Sequence, residues 1–467
     1  MAGTIEGMFV EVSKYRSVSR VRIMSQVKTG DTWKRQLVEH IGSAKDDTEL
    51  KLLKTKADKR LDELKPQQHL PLWPGAESRA DFQLSQPFAW GLWQVIGRIY
   101  DSLALPAGLL KYLVLARIAL PKSKLATARY LENNLQYAIS SSAIYKFMDS
   151  LSQAMVMDKL LAYARAKVAV EAGIISIVFY DVTTLYFEND QEDEDVNDGL
   201  ESILGLRKYG YSKDHRADQP QVVIGLTVDG NGFPLDFQVY EGNTYEGNTL
   251  LKGVNQVSTK LSLTGSQLTV VADAGMLNAV NLKELEDHGY RYIVGARIKS
   301  MSEAQTKVVL DWDYVKSGSL DITLRAGQRQ SSRRLIVTYS EFDGLRGYIT
   351  NTALSVEDVV ARYGNLWQVE KSFRMSKTDL KARPALHYKR QRIIAHLTIC
   401  VAALAVLREF NQKLASLPTG KDDQPVGQSI ALEQLLAIWQ YQLTVKGKES
   451  FPIYSKLNEL QEKLLNL

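Results

Sequence analysis

Tyr363-Gly-Asn-Leu-Trp-Gln-Val-Glu370-Lys-Ser-Phe-Arg374-Met-Ser-Lys377 is the stretch on which the fold turns. Val359, Tyr363, Leu366, Trp367, Val369 and Phe373 recur at helical intervals, which predicts one amphipathic helix with Trp367 among its packing residues. Tyr363, Glu370 and Lys377 stand seven apart. Seven residues return a helix to nearly the same azimuth, with a drift of about 20° per step. One face should therefore carry a phenol, a carboxylate and an ammonium in line beside an apolar stripe. Taken alone, this fits a solvated edge of a core helix better than a site, because most helix charges are solvated. The rest of the chain changes that balance.

Upstream, Ile174 to Tyr180 is nearly all apolar, as a central buried strand is, and it ends in Asp181. Gln267 to Ala272 is a similar run, and it ends in Asp273. A carboxylate closing a buried strand is unexpected unless something pairs with it. Between the two, Val222 to Val228 and Pro234 to Tyr240 read as strands joined by the turn Asp229-Gly-Asn-Gly232. Thr249 to about Leu261 suits a helix, and a second helix is capped by Asn278 and stopped at Gly289. Tyr290 to Ala296 gives a fifth strand, and about Lys299 to Gly347 a polar, β-rich insertion. In such an order the first and fourth strands are neighbours, their carboxyl ends adjacent, and the later helix can bring Glu370 over them. Three converging carboxylates repel one another, so they imply divalent cations with oxygen ligands, Mg²⁺ or Mn²⁺.

Element order and carboxylates together resemble the ribonuclease-H-like core of bacterial insertion-sequence transposases of the DDE type, over roughly Ile174 to Leu407. The resemblance is closest to the group whose signature is Tyr, two residues, Arg, three residues, Glu, six residues, Lys. Tyr363, Glu370 and Lys377 match it. Phe-Tyr-Asp181-Val-Thr-Thr and Val-Ala-Asp273-Ala-Gly-Met look like the two aspartate motifs. The signature Arg falls on Leu366, so its phosphate-holding role must be dropped or moved, to Arg374 in preference to Arg362.

The resemblance implies that Asp181, Asp273 and Glu370 are catalytic and hold two Mg²⁺ ions, with Mn²⁺ able to substitute. It implies strand cleavage at the element's terminal inverted repeats and strand transfer into target DNA, by cut-and-paste. Tyr363 and Lys377 would contact phosphates, as would Arg374, Lys213, Lys389, Arg390 and Arg392; for the last three a solvated basic helix start is an equal reading. Double-stranded DNA is the expected partner, with a homodimer forming on it. A stacking aromatic in the insertion would be Trp312 or Tyr314, although both suit a core. His215, His387 and His396 read as polar core or surface. A metal-dependent nuclease on the same core, a catalytically silent DNA-binding derivative and a carboxylate glycosidase are the other readings; the basic segments disfavour the last.

Composition is that of an ordinary globular protein, 45% hydrophobic and 24% charged, with a net charge of +5 that permits nucleic acid without requiring it. Cys400 is the only cysteine, which excludes an intrachain disulfide and a thiolate cluster. No signal peptide or membrane-spanning run is read, so a reducing, cytoplasmic setting is expected. Length calls for more than one core. The expected fold is an α/β catalytic core, ribonuclease-H-like with a mixed sheet flanked by helices, a β-rich insertion, and an N-terminal β plus helical region. Its parts are 1–70 (short strands bearing Lys14, Arg16, Arg20, Arg22 and Lys28, a Thr29-Gly30-Asp31 turn and a helical tail), 71–170 (helical, a bundle or a DNA-binding region), 171–298 and 348–410 (core), 299–347 (insertion) and 411–467 (C-terminal, helical). Pro66, Pro71 and Pro74 mark a linker, Pro121 to Arg129 a helix start presenting Lys122, Lys124 and Arg129, and the acidic Glu188 to Glu201 a solvated, disordered loop.

Overall fold

The computed structural model describes residues 5–15, 18–29, 32–44, 46–64, 82–170, 175–188, 190–197, 202–203, 205–213, 216–276, 278–298, 301–313, 318–326, 329–340, 344–382, 387–417, 426–445 and 449–467. The expected linker prolines, the Gly30-Asp31 turn, Arg16, His215 and Tyr314 lie outside them. The chain divides into two compact units, Met1–Phe82 and Gln83–Leu467.

In the first unit β1 (Ile5–Tyr15), β2 (Val18–Thr29) and β3 (Thr32–Ala44) form an antiparallel meander, longer than the short strands expected. α1 (Asp47–Leu64) packs on it. Val21 and Ile23 are fully buried, and strand alternation turns Arg20 and Arg22 the other way.

At the boundary stands β4 (Phe82–Leu84), and five helices follow, α2 (Trp90–Ser102), α3 (Leu109–Ala119), α4 (Lys124–Leu135), α5 (Ser141–Ser150) and α6 (Gln153–Val170). Then come β5 (Ile177–Tyr186), the short pair β6 (Val196–Asn197) and β7 (Ser202–Ile203), β8 (Gln221–Val228), β9 (Pro234–Glu241), α7 (Leu250–Leu261), β10 (Thr269–Ala272), α8 (Ala279–Asp287) and β11 (Arg291–Ala296). After these follow α9 (Glu303–Leu310), β12 (Ser319–Ala326), β13 (Arg329–Ser340), β14 (Gly344–Thr350), α10 (Val356–Gly364), α11 (Trp367–Arg374) and α12 (Arg390–Ala415). α13 (Gln428–Leu436), β15 (Gln440–Val445), β16 (Phe451–Tyr454) and α14 (Glu459–Leu465) complete the chain.

Eight strands make one mixed sheet in the order β12-β13-β14-β11-β10-β5-β8-β9. β5, β8 and β9 form the antiparallel meander; β10 joins β5 in parallel, and β11 joins β10 in parallel. Every residue of β8 and β10 is buried, which is why these segments read as apolar runs without alternation. This is the ribonuclease-H-like arrangement expected from the sequence.

Two expectations are corrected. Asp181 does not end its strand, because β5 continues to Tyr186 against β8. The insertion carries α9 as well as strands, and its β12 and β13 extend the main sheet through β14. The C-terminal region is not helical throughout, because β15 and β16 join β4 in a small three-stranded sheet. Trp312 packs with Val309, Leu335 and Val337, so it is a core residue of the insertion.

α12 explains the apolar run around Leu397 to Leu407. It is long and apolar enough to cross a membrane, yet 94% of that apolar stretch is buried inside the fold. It packs against α2, α3, α5, α6 and β9. A helix that is apolar all round belongs in a protein core.

Candidate active site

The register of two strands builds the centre of the site. In the parallel pair β5 and β10, Tyr180 stands opposite Ala272. Asp181 is the next residue of β5 and Asp273 the residue that follows β10, so the pairing brings them to adjacent positions. Thr183 and Leu185 share the Asp181 face of β5 by strand alternation, and they line one small cavity with Phe373, Ser376 and Lys377. Asp181 therefore faces the side on which α11 and the turn after it pack. Its side chain is 17% exposed.

Tyr363, the last aromatic of α10, donates its O–H to Asp273 Oδ1 at 3.2 Å. The backbone N–H of Gly275 donates to the other oxygen, Oδ2, at 3.3 Å. Gly295 of β11 makes this approach possible, since a Cβ there would lie 2.4 Å from the Tyr363 hydroxyl. Beside this point Ala274, Gly295, Ala296, Arg297, Arg346 and Tyr348 wall an open cleft of about 690 Å³.

The helix expected from Tyr363 to Lys377 is not continuous. α10 ends at Gly364, a tight turn follows at Asn365 and Leu366, α11 runs from Trp367 to Arg374, and Met375–Asp379 forms a wide π-helical turn. Gly and Asn are weak helix formers, so the break falls where propensity is lowest. The three residues thus occupy three successive segments rather than one straight face. Glu370 is exposed in the first turn of α11, and its charge reaches the Tyr363 phenol. Trp367, expected to pack, is 48% exposed, with the Lys371 ammonium 5.3 Å from its ring centroid. Leu366 is buried. α11 is held from behind by Arg408 of α12, whose guanidinium donates to the Gln368 carbonyl at 2.6 Å, to Gln368 Oε1 at 3.1 Å and to Ser372 Oγ at 2.6 Å.

Sequence reasoning missed Glu246. It lies in a 3₁₀ turn (Glu246–Asn248) between β9 and α7. Lys213 Nζ donates to the Val182 carbonyl at 2.7 Å, sits 3.0 Å from Glu246 Oε1 and lies 3.8 Å from Asp181 Oδ1. A Cβ on Gly275 would stand 3.5 Å from both Asp273 Oδ2 and Glu246 Oε2. Asn281 of α8, itself buried, donates to Gly247 O at 2.7 Å and to Met276 O at 2.8 Å. One amide thereby ties the Glu246 turn to the Asp273 turn. No periodicity marks Glu246; a glutamate beside a helix start is common, and only tertiary placement singles it out.

The remaining residues expected at DNA divide. Arg374 is exposed one turn past Glu370 and borders a cleft of about 600 Å³ with Lys371 and Asp379. Lys377 is half-buried in the π-helical turn. Lys389 and Arg390 are exposed at the start of α12. Arg392 is engaged instead with both carboxylate oxygens of Asp149, each at 2.7 Å. Lys124 opens α4 but is buried rather than presented to solvent, and burial with Arg117 nearby pulls its ammonium down to about 7. His387 and His396 are buried and held neutral. The acidic loop is better ordered than expected where described. Asp193 accepts from Arg207 Nε at 2.7 Å, and Asp195 pairs with Lys208 at 3.1 Å.

Burial pushes the Asp181 carboxyl up to about 6; Lys213 and the Val182 N–H oppose the shift, while the charges of Asp273 and Glu246 add to it. Burial, then Asp273, raises the Tyr363 phenol above its ordinary value. The donors facing one another are oxygens only, which suits a hard divalent cation, and Lys213 already seats a positive charge on three of them. Among the described residues no three carboxylate, imidazole or thiol groups stand close enough to hold one ion as they are placed. Asp181 and Asp273 stand at the same end of the paired strands, with Glu370 exposed on α11.

Residues 173–406 match the family model described as a transposase DDE domain. Among solved structures, the piggyBac transposase synaptic complex with hairpin DNA is similar over 74% of this chain and 76% of that one, at 12% identity and a TM-score of 0.40. The Mos1 transposase paired-end complex with left transposon end covers 39% of this chain and 56% of that one, at 11% identity and a TM-score of 0.17. The Mos1 mariner paired end complex with Mn covers 37% and 54%, at 11% identity and a TM-score of 0.17. No curated protein matches the sequence.

Proposed function

The chain belongs to the family of transposases with a DDE domain, and from that premise we propose that it is the transposase of a bacterial insertion sequence, of the group with the Tyr-Arg-Glu-Lys signature. It cuts DNA at the element's terminal inverted repeats and joins the freed 3′ ends to a target, by cut-and-paste. The observation that carries the reading is the β5/β10 register, which sets Asp181 beside Asp273 within the matched segment. Asp181, Asp273 and Glu370 are the carboxylates that would hold the metal. Bound Mg²⁺ or Mn²⁺, two ions in this reading, would supply Lewis acidity to an attacking water or 3′-hydroxyl and to the leaving 3′-oxygen at the phosphodiester.

The chain's own residues do the rest. Tyr363 and the Gly275 N–H fix the Asp273 carboxylate from both sides. Arg408 fixes α11 and hence the position from which Glu370 enters. Arg374 takes over the phosphate role that Leu366, apolar and buried, cannot fill. Lys377, Lys389 and Arg390 neutralise phosphates along the strand. Two copies assemble on paired ends.

The test is incubation of the protein with the DNA flanking its own gene, with and without Mg²⁺, beside Glu370→Gln. Cleavage at defined ends by the native chain, binding without cleavage by the variant, and joining of the 3′ ends to a plasmid are the expected results. Cleavage without joining would leave a nuclease. Binding by both without cleavage in Mg²⁺ or Mn²⁺ would leave a DNA-binding protein and overturn the reading.

A further inference from the structure

The pentapeptide Tyr-Glu-Gly-Asn-Thr occurs twice in succession, at 240–244 and 245–249, and the fold uses its two glutamates differently. Glu241 ends β9, where it accepts from Thr244 Oγ1 at 3.4 Å. Glu246 is carried into the acidic centre. Three independent observations place it there. Lys213 is shared between it and Asp181. Its Oε2 and Asp273 Oδ2 are equidistant from the Gly275 Cβ position. Asn281 locks its turn to the turn that follows Asp273, through two buried hydrogen bonds. The clamp is reinforced from within, since the fully buried Thr249 donates its hydroxyl to Glu246 O at 2.6 Å. A solvated glutamate needs none of this.

We propose that Glu246 is a fourth carboxylate of the catalytic centre, and that Lys213 is its built-in counter-ion, seated on oxygens that a divalent cation would also use. The inference rests on the transposase reading of the same site. An ammonium and a divalent cation cannot share the Val182 carbonyl, Asp181 Oδ1 and Glu246 Oε1. Charge repulsion and the common donors make the two mutually exclusive. Lys213 therefore keeps the carboxylates compensated before the metal arrives, at the expense of metal affinity. Once displaced, its ammonium is free to neutralise a DNA phosphate beside the reacting strand, so the same lysine serves both states. Glu246 supplies the negative charge that remains when Lys213 leaves.

The experiment is a calorimetric titration of MnCl₂ into the full chain at fixed ionic strength, with melting temperature measured with and without Mn²⁺ as a second readout. Wild type is compared with Glu246→Gln, Lys213→Met, Glu241→Gln and Asp181→Asn. Glu246→Gln should weaken Mn²⁺ binding by about tenfold or more, as loss of a group supporting a metal site does. Lys213→Met should tighten it severalfold, and Glu241→Gln should leave it unchanged. Glu246→Asp, which keeps the charge but withdraws it by one methylene, and Lys213→Gln replace any variant that fails to fold, with the same ordering expected. If Glu246→Gln titrates like wild type while Asp181→Asn loses the site, Glu246 plays no part and the transposase reading stands without it. If Lys213→Met binds no more tightly than wild type, the counter-ion role is wrong. If wild type itself shows no Mn²⁺ site, the metal centre fails and takes this inference with it.

Discussion

Asp181 carries its charge in a largely buried place, and its carboxyl is pushed up to about 6, against an ordinary value near 3.8. The folded chain therefore holds that proton more tightly than the unfolded chain. Wild-type stability should fall as pH rises from about 4 to about 6, and stay at its lower level above. Asp181→Asn removes this slope. Urea unfolding in EDTA should find the variant gaining about 2 kcal/mol on wild type between those pH limits, while cleavage is abolished. The same proton competes with a cation, so Mn²⁺ affinity should weaken as pH drops through about 6. The juxtaposition of Asp181 and Asp273 was legible in the sequence because an apolar run that stops at a carboxylate is an energetic anomaly. Glu246 was not, because its surroundings are polar and its neighbours in space, Lys213 and Gly275, are distant in the chain. Trp367 was misread, since an aromatic at a helical spacing is ordinarily core and this one lies on the open side of α11.

Two short elements, α11 and the turn at Glu246, present carboxylates, and a polar side chain of a neighbouring helix ties each in place. Arg408→Met removes the three hydrogen bonds that hold Gln368 and Ser372. It should cost about 1–3 kcal/mol in denaturant unfolding, with a larger loss in end cleavage because α11 is no longer fixed. Asn281→Ala releases Gly247 O and Met276 O together. A similar cost of about 1–3 kcal/mol is expected, and Mn²⁺ binding should weaken with it, read in the same titration. Element order was readable from the alternation of apolar runs and caps. The interruption at Gly364-Asn365 was not, because both Asn365 and Leu366 keep right-handed helical angles and the apolar period passes across the break. The joining of β12 and β13 to the main sheet escaped for a different reason. Pairing between β14 and β11 is long-range and leaves no mark in local pattern.

Over the whole molecule the net charge of +5 is too small to identify a DNA path, and the exposed cations must be tested singly. Lys389 stands free of the core at the head of α12, whereas Arg392, two residues inside that helix, is locked to Asp149. Lys389→Ala should lower the slope of log affinity against log salt by about one for element-end DNA. Arg392→Met should leave that slope unchanged and lower the melting temperature. An equal change in slope for both would mean that the Asp149 pair opens on DNA.

α12 also dictates when this chain can mature on the ribosome. The helices between 90 and 170 emerge early, yet the helix against which four of the five pack is made only at 390–415. Until then the nascent chain carries uncovered the apolar surface that α12 will cover, through synthesis of the entire mixed sheet. Such faces are what holdase chaperones bind and what drives aggregation. A transcript cut short before codon 390 should therefore yield an insoluble or chaperone-bound product even though Asp181, Asp273, Glu246 and Glu370 are already in it, and completion of α12 should restore solubility.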